Sequence, residues 1–484
     1  MQRLDCHVKE YAWGKKGEES EVATLFAAGH PEFFVERTNP YAELWMGTHP
    51  DGPARIASTK QLLSSFIAKS YSSQMLFNNN LRKDIHLPFI MKVMSIAKTL
   101  SLQVHPTKEQ AERLHESDPV HYPDRHHKPE LAYALTQFEL LCGFRPAREI
   151  VANLRAFPAL KYLMGVQNSE KLIEIIESGA DPRSNKCKSR LAACFAYQLA
   201  QPKDRVEDFV DELLASISRG ARGCLTESTV SVIKKMSVDF PGDVGIFAPL
   251  YLNHMVLQPG QCCYYASQEL HAYLSGECVE CVGCSNNTIR AALTPKFIDH
   301  DALIEALNYQ MTEPEDYLVP AQRLPTHPIV DEYAPDCKDF QLHRIRIETC
   351  TQTPAPLPQL ECASIMVVVK GTAIMDEMQP GASGEALGKN ERRMVRRGDI
   401  IYIAADRRLA FVHCSEDLEA YRTFSYEIGP DHEIAAPDSI LLSSPSQKIS
   451  PVPSKAILTT IEKKLDRNDS GIVFEVESEI DGFC

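Results

Sequence analysis

The chain has 484 residues, 44% apolar and 24% charged, with a formal net charge of -14, a composition ordinary for a globular protein and long enough for about three domains. The acidic balance argues against nucleic acid as a partner, because a polyanion calls for a basic surface. Met1-Gln-Arg-Leu-Asp-Cys-His carries no secretory core, no apolar run is long enough to span a bilayer, and no prenylation box precedes Cys484, so a cytoplasmic protein without a membrane partner is expected.

Residues 1–100 carry short apolar runs broken by Gly, Pro and Asn, which predicts β structure with irregular connections. Tyr11-Ala-Trp-Gly14 and Tyr41-Ala-Glu-Leu-Trp-Met-Gly-Thr-His-Pro50 suit a sheet edge or a pocket rim. Pro88-Phe-Ile-Met-Lys-Val-Met-Ser95 reads as a strand in which Lys92 either snorkels outward or points into a site.

Ser101-Leu-Gln-Val-His-Pro106 follows. Strand alternation sets Leu100, Leu102 and Val104 on one face and Ser101, Gln103 and His105 on the other. Thr107-Lys-Glu-Gln110 has capping-box spacing and predicts a short helix. His121-Tyr-Pro-Asp-Arg-His-His-Lys-Pro-Glu130 is a polar loop in which Pro129 holds Lys128 extended and aims Glu130 at the sheet. Leu131–Leu135 and Phe138–Pro146 resume strand character.

From 147 to about 240 the apolar period becomes helical: Val206, Phe209, Val210, Leu213, Leu214 and Ile217 form one stripe, closed by Gly220. Strand character is expected again at Gly245-Ile-Phe-Ala-Pro-Leu-Tyr-Leu, then at Val256–Ala266, where a glycine turn feeds the strand. In Leu270–Glu280, His271 and Tyr273 share a face. Ala363–Gly371 and Met394–Ala404 repeat the glycine-turn-and-strand pattern, which predicts a second copy of one β-fold of the cupin jelly-roll kind. The 443–484 tail, rich in Ser, Pro and Lys and then acidic, has the composition of a partly disordered segment.

Fifteen cysteines, odd in number and scattered, read as buried or free thiols. Cys278, Cys281 and Cys284 have cluster spacing, but on a strand Cys278 and Cys281 would point to opposite faces.

Gln103, His105, Glu130 and His271 form a set of nitrogen and oxygen donors suited to Zn²⁺, with Mn²⁺ or iron also acceptable. Lys92, Lys128, Arg290 and Lys296 flank the same segments and suit an anionic substrate. Ser101–Pro106, Tyr122–Glu130, His271–Glu280 and Arg290–Lys296, with Tyr41–Pro50, resemble the type I mannose-6-phosphate isomerase (phosphomannose isomerase) family over most of residues 10–310, and weakly beyond.

The resemblance implies an enzyme with one zinc ion per chain that interconverts mannose 6-phosphate and fructose 6-phosphate through a cis-enediol, feeding GDP-mannose synthesis. It implies Gln103, His105, Glu130 and His271 as zinc ligands and Arg290 as a catalytic arginine. Ser101, Lys92, Lys128, Tyr273 and Glu280 would line the sugar-phosphate pocket. Glu280 and the His127–Lys128 pair are the candidates for proton transfer, with the choice between them open.

The expected fold is mainly β with a helical insertion: two cupin-like jelly rolls plus an α-helical domain. The expected partition is 1–146 and 243–310 as the catalytic cupin domain, 147–242 as the helical insertion, 311–442 as the C-terminal jelly roll and 443–484 as the tail. A monomer is expected. The chain departs from the family pattern at His126, Val282, Asn286 and Ala292. Asn286 stands where the family has an aspartate considered for proton transfer, and an amide cannot take up a proton near neutral pH. This motivates an alternative: a catalytically weak paralogue that binds sugar phosphate as a sensor or partner protein. An unrelated iron-dependent cupin oxygenase is a more distant reading.

Overall fold

The computed structural model describes residues 1–72, 83–349, 351, 353–378 and 392–426. The expected tail at 443–484 lies outside the described residues. The fold is sheet-rich, every pairing between its strands is antiparallel, and helices are inserted between two strands of the largest sheet.

That sheet has ten strands, and its main path runs Leu252–Leu257, Phe138–Phe144, His271–Gly283, Phe89–Ile96, Glu43–Gly47, His7–Lys9. The hub is the 13-residue strand His271–Gly283. Its first half pairs with Phe138–Phe144 and touches Leu102–Val104 at His271; its second half lies between Phe89–Ile96 and Glu130–Ala134. The strand changes partners at Gly276, which has φ +107° and lies so close to the backbone of Gln137 that a Cβ would fall 2.4 Å from its carbonyl oxygen. Only glycine accepts that conformation without strain, so one continuous strand passes from one set of partners to the other and carries residues to both.

An eight-stranded sheet runs Gln322–Arg323, Val330–Tyr333, Gln341–Ile347, Leu418–Phe424, Ser364–Lys370, Ile400–Ile403, Gln2–Asp5, Arg55–Ile56. The N-terminal strand thus closes a sheet built from the C-terminal part of the chain. Leu44, Met91 and Val93 of the larger sheet meet Ile365, Val367, Tyr402 and Tyr421 of this one in a shared core. On its other face Ile345, Ile347, Met366 and Val368 pack on Ala373, Met375, Leu409 and Phe411 of a four-stranded sheet. The glycine turns matched in sequence recur in space. Gly260 and Gly398 both have positive φ, and each leads into a strand, Cys262–Tyr265 and Ile400–Ile403.

Six helices, from Ala147–Ala156 to Glu227–Asp239, lie between Phe138–Phe144 and Leu252–Leu257. The Lys203–Ser218 helix buries Val206, Val210, Leu213 and Ile217, with Phe209 and Leu214 packed against the same core. Thr107 and Gln110 form the capping box of Lys108–Ser117.

The structure corrects two readings. Gly245–Tyr251 is not strand. Asp243 accepts from Gly245 N and starts a 3-10 turn at Val244–Phe247, followed by the helix Ala248–Tyr251; the strand opens only at Leu252. The segment is wholly buried, and a continuous apolar run has no period to separate helix from strand. Residues 1–72 also contain the helices Glu21–Gly29 and Leu63–Ser72. The first is capped by Ser20, whose side chain accepts from Ala23 N, a local signal of the ordinary kind. No helix among the described residues is long and apolar enough to cross a membrane.

Candidate active site

The site is assembled by strand register. Gln103 on Leu102–Val104 is the pairing partner of His271 on one side and Arg290 on the other. Paired residues project to the same face, so residues far apart in the chain stand in one row. His105 follows one strand position beyond Val104. Glu130, the first residue of Glu130–Ala134, pairs with both Val282 and Tyr265.

Ligand-capable atoms of His105, Glu130 and His271 lie within 4.8 Å of one another, and all three residues are buried. His105 Nε2 is 3.1 Å from Glu130 Oε1, and His271 Nε2 is 3.6 Å from Glu130 Oε2. The opposite nitrogens are committed. Nδ1 of His105 meets the Asn287 carbonyl at 2.8 Å and Nδ1 of His271 the Glu269 carbonyl at 2.9 Å. A carbonyl can only accept, so each Nδ1 bears the proton and each Nε2 presents a lone pair to the centre.

Burial, reinforced by Lys128, holds His105 below the usual imidazole range against the pull of Glu130, and burial takes His271 down to about 4. Burial resists ionisation of Glu130, but the charge of its neighbours, Lys128 foremost, outweighs it and keeps the carboxyl well below its usual range. Two neutral imidazoles and a carboxylate converge, and His105 Nε2 is buried with no hydrogen-bond partner. That donor set fits a divalent cation of the Zn²⁺ class. Gln103 lies beside it: its amide nitrogen is 3.4 Å from His271 Nε2 and its oxygen accepts from Ser101 Oγ at 3.1 Å. A half-turn of the amide would present the oxygen to an ion, and the Ser101 hydroxyl would then accept from the nitrogen.

Tyr265, which sequence reasoning did not single out, is fully buried and donates to Glu130 Oε2 at 2.8 Å. It also lies 2.5 Å from the hydroxyl of Tyr273. Burial pushes both phenols well above their usual range, so both remain protonated. Tyr265 sits opposite Glu130 in register, but one aromatic in a strand carries no signal of that pairing.

Beside this centre stands a buried ion cluster. Lys92 Nζ is 2.7 Å from Glu280 and 3.9 Å from Glu43, and Lys128 Nζ is 3.3 Å from Glu130. Lys92 therefore points inward. Burial raises the Glu280 carboxyl and Lys92 opposes the rise. Glu43 was also missed from the sequence; its other oxygen accepts from Trp45 Nε1 at 2.6 Å. Arg290 is half-buried and Lys296 exposed, and neither side chain makes a hydrogen bond or ion pair with another described residue. Burial lowers both, and Arg290 lowers Lys296 further while Glu43 opposes the fall, so two cations stand near each other.

His127 is occupied differently: its Nε2 bonds Asp339 Oδ1 at 2.9 Å, and Asp339 holds it above its usual range. Asn286 donates to Asp51 at 2.8 Å, at the exposed edge. Cys278 and Cys281 fall into separate cores on opposite faces of their strand, with Cys284 in a third cluster. No thiol belongs to a metal-capable group among the described residues.

Residues 1–147 match the family model of the phosphomannose isomerase type I catalytic domain, and residues 163–252 that of its helical insertion domain. The mannose-6-phosphate isomerase of Bos taurus is 37% identical over 413 residues, spanning 83% of this chain and 93% of that one. The Homo sapiens protein of the same name is 39% identical over 381 residues, 77% of this chain and 88% of its own. A crystal structure of a mutant phosphomannose isomerase from Salmonella typhimurium superposes with a TM-score of 0.68 at 25% identity, covering 88% of this chain and 99% of that one. A mannose 6-phosphate isomerase bound with zinc and yttrium has the same fold, with a TM-score of 0.68 at 24% identity over 88% of this chain and 99% of its own.

Proposed function

The chain belongs to the type I phosphomannose isomerase family, and from that premise we propose that it is a zinc-dependent aldose–ketose isomerase interconverting mannose 6-phosphate and fructose 6-phosphate. The observation that carries the proposal is the buried convergence of His105, Glu130 and His271 with both imidazoles fixed as Nε2 donors. One zinc ion held by these three and Gln103 would supply Lewis acidity at the sugar oxygens.

The chain's own residues account for the remainder. Arg290 and Lys296, cations that form no salt bridge with another described residue, suit a phosphate and the anionic oxygen that builds up during reaction. Arg290 stands opposite Gln103 in register, which would set the sugar between that guanidinium and the metal ligands. Isomerisation removes a proton from C2 of the aldose. The electron pair forms the C1–C2 double bond of a cis-enediol as the C1 oxygen takes up a proton. Return of a proton to C1, with loss of the one on the C2 oxygen, leaves the ketose.

A buried carboxylate beside a lysine is equipped for that shuttle. Glu280, paired with Lys92 and raised by burial, is our choice of base; Lys128, 3.3 Å from Glu130, would stabilise the oxygens. The hydrogen bond of His127 to Asp339 favours a supporting role for that ring. Burial keeps bulk water from the reactive enediol. Supply of mannose 6-phosphate, formed in the reverse direction, to GDP-mannose synthesis and a cytoplasmic, monomeric state complete the reading.

The test is turnover of mannose 6-phosphate by zinc-loaded protein, coupled to detection of fructose 6-phosphate. Brisk turnover that disappears in His271→Ala supports the proposal. A folded, zinc-loaded protein without turnover would favour the sugar-phosphate-binding paralogue instead.

A further inference from the structure

Behind the centre, two loops are joined by a knot of hydrogen bonds around Asp124. Its Oδ1 accepts from His126 N at 3.0 Å, Ser285 Oγ at 2.8 Å and Asn287 Nδ2 at 3.0 Å; its Oδ2 accepts from Asn286 N at 2.8 Å. Asn287 Nδ2 also reaches the carbonyls of Asp124 and His126, at 2.7 and 3.0 Å, and Asn287 N donates to Ser285 Oγ at 3.0 Å. Asn287 is wholly buried and Ser285 3% exposed. One loop leads into Lys128 and Glu130, the other into Arg290.

One hydrogen bond links the knot to the centre. The carbonyl of Asn287 faces His105 Nδ1 at 2.8 Å. A backbone carbonyl holds an imidazole in one tautomer and one ring orientation only if the carbonyl itself cannot swing. In a turn outside regular structure, the neighbouring hydrogen bonds supply that rigidity. Asp124 grips the turn at three consecutive residues, Ser285, Asn286 and Asn287, with both of its oxygens.

We propose that Asp124 is a positioning residue for the metal centre: it fixes the 285–287 turn so that the Asn287 carbonyl locks His105 with Nε2 bare and aimed at the ion. This rests on reading the centre as a metal site. Asp124 bonds the loop residues His126, Ser285, Asn286 and Asn287, not His105 itself, and acts through Asn287 on one ligand. In Asp124→Asn one oxygen becomes a donor facing other donors, so at least one strut of the turn is lost and the His105 ring gains freedom.

The experiment measures zinc affinity of chelator-stripped full-length protein by competition with a chromophoric chelator, for wild type, Asp124→Asn and Ser285→Ala. Histidine ¹⁵N NMR of the same metal-free samples reads the His105 tautomer, which a loop tether of purely structural value would not move. The expected result is zinc affinity weaker by about 10- to 100-fold in Asp124→Asn, the range for loss of an outer-shell partner, with a mixed tautomer at His105 and a smaller loss in Ser285→Ala. If Asp124→Asn fails to fold, Ser285→Ala decides alone. Variants that bind zinc as tightly as wild type, with His105 unchanged, would overturn the role of Asp124 while leaving the centre intact. Wild-type protein that takes up no zinc would overturn both.

Discussion

Nε2 of His105 and Oε1 of Glu130 stand 3.1 Å apart in a buried site, and the nitrogen has no hydrogen-bond partner because the ring's proton sits on Nδ1 against Asn287. Two lone pairs facing each other at that range repel in a medium of low dielectric. A shared cation removes the repulsion. That pair is the physical reason to read the site as a metal centre, and the consequences follow from that reading.

Removing one member of the pair should abolish metal retention. Glu130→Gln keeps the shape but loses the charge, and Tyr265 loses its anionic acceptor. Zinc affinity should fall by more than the roughly 10- to 100-fold typical of losing an outer partner. Competition titration against a chelator measures it. Stoichiometric zinc surviving dialysis of the variant would contradict the assignment of Glu130.

Stability of the metal-free protein should depend on pH with a definite sign. His271 is held near 4 by burial, below the ordinary imidazole value of 6.5. Between those values the unfolded chain binds the proton and the folded chain does not. The contribution is therefore complete above about pH 6.5 and lost as pH falls towards 4, on the order of 3 kcal/mol in all. His105, lowered in the same direction, adds to it. Thermal melts of chelator-treated protein between pH 7.5 and 4.5 should show the loss of Tm with acidification. A flat profile over that range would count against buried neutral imidazoles.

The two neighbouring cations should separate kinetically. Arg290 lies in the Gln103 row, so Arg290→Ala should lower kcat by about 100- to 1,000-fold, as when one transition-state donor is removed. Arg290→Lys should restore little, because the planar fork is lost. Exposed Lys296 should act on binding, and Lys296→Ala should raise KM for mannose 6-phosphate and weaken inhibition by inorganic phosphate with kcat nearly unchanged. Steady-state kinetics checks both.

Asn286→Asp should not improve turnover. The Asn286 amide donates to Asp51 at 2.8 Å, and a carboxylate there would face the Asp51 carboxylate at that distance. Repulsion should open the rim, raising KM with kcat unchanged or lower. A large gain in kcat would instead mark the natural protein as catalytically impaired and revive the paralogue reading.

The site was legible where chemistry concentrates in short stretches. Gln103-x-His105, the Lys128-Pro-Glu130 turn and His271 could be read as donors, and strand parity correctly put Cys278 and Cys281 on opposite faces. Partners fixed by long-range register were not legible. Tyr265 opposes Glu130, and Glu43 approaches Lys92, only once the strands pair. Nor could a sequence show that residues 2–5 complete a sheet built from the other end of the chain. The Gly245–Tyr251 run failed for a different reason: full burial erased the periodicity that tells helix from strand.

The most direct test of the metal centre is an anomalous-difference map at the zinc edge from crystals of the zinc-loaded protein. The expected result is one peak at about 2.0–2.2 Å from Nε2 of His105, Nε2 of His271 and a Glu130 oxygen, with the Gln103 amide oxygen turned towards it. A peak elsewhere, or none at these side chains in protein that turns over mannose 6-phosphate, would contradict the account.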